Sequence, residues 1–307
     1  MKQKFNFNFI GKKKIWYSLA IALFIASVIG LVVNNGLNLG IDFTGGSILQ
    51  VQYTSDVTLE DVRDVVTANV EQPPTIQQGD KNQFTIRTAE MTDEENTTLL
   101  EKLGTLGKLQ VLRNDMIGPV VGKQLISNAR WALIVAGILM LIYITIRFRF
   151  NFALAAILAL IHDVFIMVGV FAIFKINVDS AFIAAVLTII GYSINNTIVI
   201  FDRIRENSRF SSKMEFGELV NTSINQTLKR TINTIVAILI LLLCLLFLGG
   251  DTTKIFMLAL TVGIIAGFFS SVFLVGSVVT DLSKKFGNKQ VKGKSKTVKK
   301  NKVVTSK

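Results

Sequence analysis

Residues 191–207 read Gly-Tyr-Ser-Ile-Asn-Asn-Thr-Ile-Val-Ile-Phe-Asp-Arg-Ile-Arg-Glu-Asn, and this stretch decides the fold class. An apolar segment contains two adjacent amides near its end and then runs into a charged cluster: Asn195, Asn196, Asp202, Arg203, Arg205 and Glu206. Amide groups inside lipid are costly unless they bond to another helix or to water. The stretch therefore predicts a membrane helix whose amides lie about two turns from the membrane surface.

Apolar stretches of membrane length recur along the whole chain of 307 residues, half of which are hydrophobic. An α-helix needs about 20 apolar residues to cross a bilayer. Spans are predicted at 15–33, 130–147, 152–174, 181–201, 231–248 and 255–280. The chain is thus expected to be a polytopic α-helical membrane protein with six transmembrane helices.

The net charge of +12 is unevenly distributed. Six crossings place all the basic regions on one side: the N-terminus 1–14, Arg147 and Arg149, the loop 202–230 and the Lys-rich tail 281–307. Positively charged loops stay in the cytoplasm, so both termini are predicted to be cytoplasmic. This topology explains the charge without nucleic acid, and we expect the tail to lie near anionic lipid or an acidic partner.

Residues 34–129 form the one long segment of water-soluble composition, with thirteen acidic and seven basic side chains. Strands are predicted at Ile48–Tyr53, Pro74–Gln78, Gln83–Thr88 and Leu109–Arg113. Helices are predicted to begin at Thr58 and Thr92, because Asp61 and Glu95 follow them with capping-box spacing. The order βαββαβ predicts a ferredoxin-like extracytoplasmic domain between the first and second transmembrane helices.

A glycine-rich run, Gly40-Ile-Asp-Phe-Thr-Gly-Gly46, connects the first span to this domain. Glycine allows tight turns and positive φ angles. Gly40, Asp42, Gly45 and Gly46 are therefore predicted to form the turn by which the chain leaves the membrane. A phosphate site is not expected, because no helix and no Lys-Ser/Thr pair follow as in a P-loop.

His162-Asp163 lies midway along the third span. A charged carboxylate at the bilayer centre costs roughly 2.5–3.5 kcal/mol on insertion scales, so it must be neutral, paired or in contact with a wet cavity. Two interpretations stay open for this pair. It is either a structural pair that bonds neighbouring helices or a relay for protons or ions.

Four further polar features have two interpretations each. Asn195 and Asn196 either join helices or line a conduction path, and Arg230 either anchors the fifth span at the interface or faces a polar site on the fourth. The Asp202–Asn207 cluster forms either local ion pairs or a docking surface. The small residues Gly263 and Gly267 allow close helix approach, within the bundle or to a partner.

Catalytic and metal-binding patterns are missing from the sequence. A single histidine makes a histidine-based metal site untenable, and neither a Gly-x-Ser-x-Gly nor a Walker motif occurs. We therefore expect no enzymatic activity, no cofactor and no bound metal.

Five motifs in order resemble the SecD/SecF family of bacterial protein-export membrane proteins, and its SecF branch in particular. They are Gly40–Gly46, Gly118–Gly122, His162-Asp163, Gly191–Asn207 and Gln226–Thr231. The resemblance covers most of residues 10–285. It implies a signature or gating segment formed by Gly191, Tyr192, Ser193, Asn195, Asp202, Arg203, Arg205, Glu206 and Asn207.

The resemblance also implies a function and a set of partners. SecF-like proteins belong to the resistance–nodulation–division superfamily of proton-driven transporters. With SecD they form a twelve-span unit in the cell membrane that assists the SecYEG translocon, together with SecA and YajC. Proton flow would drive cycles of the outer domains that help to pull preproteins across the membrane.

Asn196 departs from the family pattern, which usually has an aspartate at this position. The resemblance implies that this aspartate carries a proton and works with the arginine that matches Arg230. Because asparagine cannot ionise, the relay candidates are His162, Asp163, Asn196 and Arg230 together with a carboxylate of SecD. One alternative is that coupling runs through Asp163 or a SecD carboxylate. The other is that Asn196 is an engineered or lineage-specific change.

Two other functions are weighed against proton-coupled export. One is a structural stabiliser of the translocon without proton coupling, which the asparagine at position 196 favours. The other is half of a small-molecule or lipid transporter of the same superfamily. The short loops at 175–180 and 249–254 disfavour that second alternative, because they leave no room for an outer substrate pocket.

Overall fold

The computed structural model describes residues 7–79, 82–210, 214–249 and 251–285. Residues 1–6 of the predicted N-terminus and 286–307 of the predicted tail lie outside the described residues.

The first part of the chain runs from a membrane-length helix into an α+β domain. Its elements are α1 (Lys13–Val33), α2 (Ile41–Thr44), β1 (Gly46–Tyr53), α3 (Leu59–Asn69), β2 (Thr75–Gln78), β3 (Gln83–Thr88), α4 (Asp93–Gly104) and β4 (Leu109–Ile117). The strands form one antiparallel sheet in the order β2-β3-β1-β4. This order confirms the predicted ferredoxin-like arrangement. β4 continues past the predicted end at Arg113, because its partner β1 extends to Gly46, which lies opposite Ile117.

Both helices of this domain begin with the predicted capping boxes. The Thr58 hydroxyl donates to Asp61 Oδ2 at 2.6 Å, and the Thr92 hydroxyl donates to Glu95 Oε2 at 3.1 Å. These bonds, with those from the backbone of the two threonines, hold the pKa of each carboxyl below its ordinary value. The helices cover one face of the sheet and form a core separate from that of the membrane helices.

The second part of the chain is helical. Its elements are α5 (Pro119–Arg147), α6 (Phe150–Ile173), α7 (Ser180–Phe210), α8 (Phe216–Leu248), α9 (Asp251–Phe269), a π-helical segment (Ser270–Val275) and α10 (Gly276–Lys285). The last three elements run on as one span. With α1, they complete six segments of the described chain that are long and apolar enough to cross a membrane, as predicted.

Several helices extend beyond the predicted spans. α5 begins at Pro119 rather than at residue 130, because proline with its fixed φ suits the first position of a helix. α7 continues nine residues past the predicted end at 201, to Phe210, and α8 begins at Phe216. The predicted loop 202–230 is therefore mostly helical where it is described. Hydropathy marks the part of a helix that lies in lipid, whereas charged residues that pair along the helix prolong it into water.

The segment before α1 folds back onto α8, and we name this contact the N-terminal clasp. The side-chain oxygens of Asn225 and Asn221 accept the N–H groups of Phe7 and Phe9 at 2.9 and 2.7 Å. The amide nitrogens of Asn221 and Asn225 donate to the Phe7 carbonyl at 3.0 and 2.8 Å, respectively. The Phe9 ring is buried, with its centroid 5.5 Å from that of Phe273. The clasp therefore ties the start of the chain to α8 and to the π-helical segment.

Candidate functional site

The centre of the bundle holds a carboxylate on α6. Asp163 is fully enclosed, and the neighbouring His162 is 8% exposed. α6 lies at the centre of the bundle. Many of its buried residues are small, so neighbouring helices can approach its backbone closely. Those buried small residues include Ala153, Ala155, Ala156, Ala159 and Gly169.

Three spans meet on the Asp163 side chain. Oδ2 accepts a hydrogen bond from Ser193 Oγ of α7 at 2.7 Å and a second from Ser270 Oγ of the π-helical segment at 2.8 Å. Oδ1 lies 3.3 Å from Nδ1 of His162. We name these four residues the Asp163 cluster. Its carboxylate is satisfied by hydroxyl groups and an imidazole, which are groups that can reverse their donor and acceptor roles.

The π-helical segment brings Ser270 to this carboxylate. A wider helical turn rotates the residues that follow it about the helix axis, so they lie on a different face. Such segments frequently occur at functional sites. Upstream, a Cβ atom on Gly267 would lie 3.2 Å from Ser193 Cβ and 3.6 Å from Asp163 Oδ2. A Cβ on Gly263 would lie 2.5 Å from Ile189 Cγ1. Both glycines are therefore used for packing inside the chain, which was one of the two predicted alternatives.

Neither asparagine of the signature segment is among the hydrogen-bond partners of Asp163 in the described residues. Asn196 is 5% exposed, whereas Asn195 points outward from the bundle. Asn196 instead lies beside the Tyr192 hydroxyl, one turn earlier on α7, and among the described residues His162 Nε2 is buried without a hydrogen-bond partner. Ser193, rather than either asparagine, is the signature residue that touches the buried carboxylate.

Arg230 also lies away from the Asp163 cluster. Its side chain is exposed, and its backbone carbonyl accepts the Thr234 hydroxyl at 2.9 Å. Within the described part of the chain, no ion pair joins Arg230 to Asp163. The four predicted relay candidates are therefore not assembled into one site by this chain: only His162 and Asp163 meet.

The charged end of α7 forms a second polar cluster. Asp202 pairs with Arg205 at 2.8 Å and with Arg147 at 3.4 Å. Arg203 pairs with Glu206 at 2.6 Å and donates to Gln226 at 2.5 Å. The Asn207 amide donates to Ser223 Oγ and to Gln226 Oε1, at 2.8 and 2.9 Å. These bonds fasten α7 to α5 and α8, and exposed ion pairs of this kind contribute little energy each.

The glycine-rich run contains one helical turn, α2, followed by two glycines with positive φ angles. Gly45 and Gly46 adopt φ angles of 78° and 129°. Asp42 reaches beyond the turn, because its Oδ2 accepts the backbone N–H of Ser180 at the start of α7 at 2.8 Å. Gly191 lies on the outer face of α7, where a Cβ would meet open space.

Sequence reasoning did not single out Ser270. The feature of the sequence that could have identified it is a pair of serines, Ser270-Ser271, in an otherwise apolar span. The pair lies on the C-terminal side of Gly263 and Gly267. A polar pair in that position indicates that one face of the helix meets polar groups of the bundle.

Comparison with known proteins identifies two family signatures in the chain. The family described as "Protein export membrane protein SecD/SecF, C-terminal" matches residues 96–285. The "SecD/SecF GG Motif" matches residues 30–57, which contain the glycine-rich run.

Curated relatives match over most of the chain. A protein translocase subunit SecF of Sebaldella termitidis is 40% identical over 81% of this chain and 83% of its own length. A SecF of Pseudomonas aeruginosa is 36% identical, with coverage of 89% and 90%. A protein translocase subunit SecDF of Thermus thermophilus is 37% identical over 89% of this chain but only 38% of its own length.

Two solved structures match the fold. The crystal structure of the Thermus thermophilus SecDF, described as a translocon-associated membrane protein, has a TM-score of 0.84 at 34% identity. The crystal structure of a SecDF in a "Super-membrane-facing form" has a TM-score of 0.70 at the same identity. Each match covers 92% of this chain, and 40% and 39% of the respective SecDF chain. The two structures therefore differ from each other over the region that this chain matches.

Proposed function

This chain belongs to the SecD/SecF family of protein-export membrane proteins, and from that premise we propose that it is a SecF-type subunit that couples proton flow to preprotein translocation. It is a multi-pass protein of a bacterial membrane with a role in protein export. The coupling, the residues that carry it and the individual partners are our proposal.

The observation that carries the proposal is the Asp163 cluster. An ionised carboxylate in the bilayer interior is costly, so such residues usually serve ion pathways or pair with a cation. Asp163 instead bonds two serine hydroxyls and lies beside the only histidine of the chain. Hydroxyls donate to a charged carboxylate and can accept from a protonated one. The cluster can therefore accommodate both protonation states without a large rearrangement.

The outer face of α7 and α8 supports a second membrane subunit as partner. Asn195 and Gly191 are exposed on α7, and Arg230 and Asn233 are exposed on α8. Amide and guanidinium groups are poorly satisfied by lipid and favour contact with another polar helix. We propose SecD as this partner, because the Thermus thermophilus relative is a SecDF of which this chain spans 38%. Its carboxylates are candidates for the role that Asn196 cannot perform.

We assign the α+β domain to the outer side of the membrane and both termini to the cytoplasm. The support is the excess of basic residues at the end of the bundle opposite to the domain, together with the positive-inside rule. In this orientation the domain meets preproteins as they leave SecYEG, and the opposite end faces SecA. YajC and membrane lipid complete the set of partners, and we propose no enzymatic activity and no cofactor.

A structural role in the translocon without proton coupling is the second candidate, and Asn196 favours it. The experiment that separates the two is a pulse-chase of preprotein processing in cells depleted of this chain. Cells are complemented with wild type, Asp163→Asn, Arg230→Ala or Asn196→Asp. The matched control is Asp56→Asn, which alters an exposed acidic residue of the α+β domain.

We expect depletion to slow processing and the Asp163 and Arg230 variants to fail in rescue, whereas Asp56→Asn rescues fully. Rescue by every variant would identify a structural partner of the translocon. Processing that is unaffected by depletion would contradict the export function and direct the search to a small-molecule substrate.

A further inference from the structure

A short joint connects the start of the α+β domain to the loop between α6 and α7. The Gly40 N–H donates to the Val178 carbonyl at 2.7 Å, and the Val178 N–H donates to the Asn38 carbonyl at 2.8 Å. Leu39 and Val178 thus form an isolated parallel β-bridge. Two segments that are far apart in sequence are therefore joined by backbone hydrogen bonds at this point.

Two carboxylates cap α7 at the joint. Asp179 Oδ1 accepts the Phe182 N–H at 3.0 Å, and Asp42 Oδ2 accepts the Ser180 N–H at 2.8 Å. The first N–H groups of a helix lack partners within the helix and favour negative charge. Burial raises the pKa of Asp179, and the nearby Asp42 carboxylate adds to the rise. Asp42 is the cap that comes from the domain side of the joint, 138 residues away.

The segment that carries Asp42 is also wedged tightly against the domain and α5. A Cβ on Gly46 would lie 2.5 Å from the Thr88 carbonyl oxygen of β3. A Cβ on Gly122 would lie 2.5 Å from the Phe43 carbonyl oxygen of α2. Such close backbone contacts leave α2 little freedom to slide, so a displacement of the domain reaches Asp42.

From this geometry we infer that Asp42 is a positioning residue that links the orientation of the α+β domain to the Asp163 cluster through α7. The inference rests on the proposed function, which it extends from the membrane carboxylate to the outer domain. α7 is continuous from Ser180 to Phe210, so Ser193 lies about 20 Å along the same helix from the capped end. Ser193 donates to Asp163, and an axial or rotational shift of α7 changes that bond.

Coupling between two sites is reciprocal, so a change of charge at Asp163 must bias the domain as well. The two solved SecDF structures, with TM-scores of 0.84 and 0.70 against this chain, show that relatives exist in more than one arrangement. The link predicts that an alteration at Asp163 is detected at the domain only while the Asp42 cap is intact.

The test measures a distance between two spin labels in the full chain, reconstituted in lipid. Cys244, the only cysteine in the sequence, is first replaced by serine so that it is not labelled. One label is placed by Ala68→Cys on α3 and the other by Leu248→Cys at the end of α8; both positions are exposed. We expect Asp163→Asn to shift the distance distribution, and we expect Asp42→Ala to abolish that response. Asp56→Ala, an exposed change in the same domain, must leave the response intact.

A second variant removes the same bond from the other side. Ser180→Pro deletes the donor N–H at the first position of α7, where proline suits the helix. This variant must also abolish the response, which distinguishes the link from a folding defect at Asp42. A response that persists in either variant, or no response to Asp163→Asn with Asp42 intact, overturns the inference. Because the distances are measured without translocation, failure of the link is distinguishable from failure of the export function.

Discussion

The α+β domain and the membrane bundle use the same chemical pair in opposite surroundings. In the domain, threonine hydroxyls donate to Asp61 and Glu95 on the surface. In the bundle, serine hydroxyls donate to Asp163 in the interior. The oxygen–oxygen distances are similar, but only the carboxylates of the domain are also solvated by water.

This difference in solvation decides what each pair does. A surface carboxylate is already hydrated, so its bond to threonine fixes only where a helix begins. A buried carboxylate depends on its few partners for all its solvation, so its bonds hold three spans together and respond to its charge.

The largest effect is expected from Asp163. Asp163→Asn keeps an oxygen that accepts the two serine hydroxyls but cannot exchange a proton at physiological pH. We expect normal accumulation of this variant in membranes with processing as slow as in depleted cells. Asp163→Leu removes the acceptor as well and leaves buried hydroxyls without it, at about 1–3 kcal/mol each. Immunoblots and pulse-chase together check both variants, and full rescue by Asp163→Asn would remove Asp163 from the relay.

The next effect concerns the two hydroxyl donors. A hydrogen bond contributes about 0.5–1.5 kcal/mol when both groups are neutral and about 1.5–3 kcal/mol when one is charged, so Ser193→Ala and Ser270→Ala should each lower the thermal stability of the bundle. The control is Ser271→Ala, because its hydroxyl donates to the Gly267 carbonyl at 2.6 Å rather than to Asp163. Melting of detergent-solubilised protein measures the loss. If Asp163→Asn is combined with either serine change and the losses simply add, the cluster does not act as a unit.

An intermediate gain is expected from Asn196→Asp. Position 196 is buried one turn after Tyr192, and an aspartate there introduces the ionisable group that the family resemblance implies at this position. We expect faster preprotein processing or a higher proton flux in vesicles that contain the chain with SecD. Unchanged rates in both assays would mean that Asp163 or a carboxylate of the partner already carries the proton.

The smallest effect lies at the capping boxes and depends on pH. The folded-state pKa values of Asp61 and Glu95 are lowered, so their contribution is present above their ordinary pKa values, near pH 4. It is lost as the pH falls through the lowered values. Unfolding of residues 46–117, followed by circular dichroism, should therefore show a melting temperature that declines below about pH 4. Asp61→Asn and Glu95→Gln should weaken this decline, whereas Glu101→Gln on the exposed side of α4 should preserve it.

Local patterns in the sequence were sufficient for much of the fold. The capping boxes at Thr58 and Thr92 mark helix starts through residues three positions apart, and the six spans follow from apolar length. The ends of α5 and α7 were less predictable, because hydropathy does not record how far a helix continues into water. Gly118 with Pro119, and the ion pairs at Asp202 and Arg203, determine those ends.

The candidate site was only half predictable, for a physical reason. His162 and Asp163 are adjacent in sequence and stand out because charge is rare in lipid. Ser270 reaches Asp163 across 107 residues and through a π-helical turn, which no local spacing encodes. Arg230 was grouped with the relay by resemblance, yet its side chain is exposed, whereas Asp163 is buried.

The N-terminal clasp has a consequence for how the protein is made. Phe7 leaves the ribosome 218 residues before its partner Asn225. At about 5–20 residues per second, translation delays this contact by roughly 10–40 s. During that interval α1 resides in the membrane with its leading segment unbound. Closure of the clasp therefore requires that α8 is already in place, and the segment before α1 reaches its final position much later than it is synthesised.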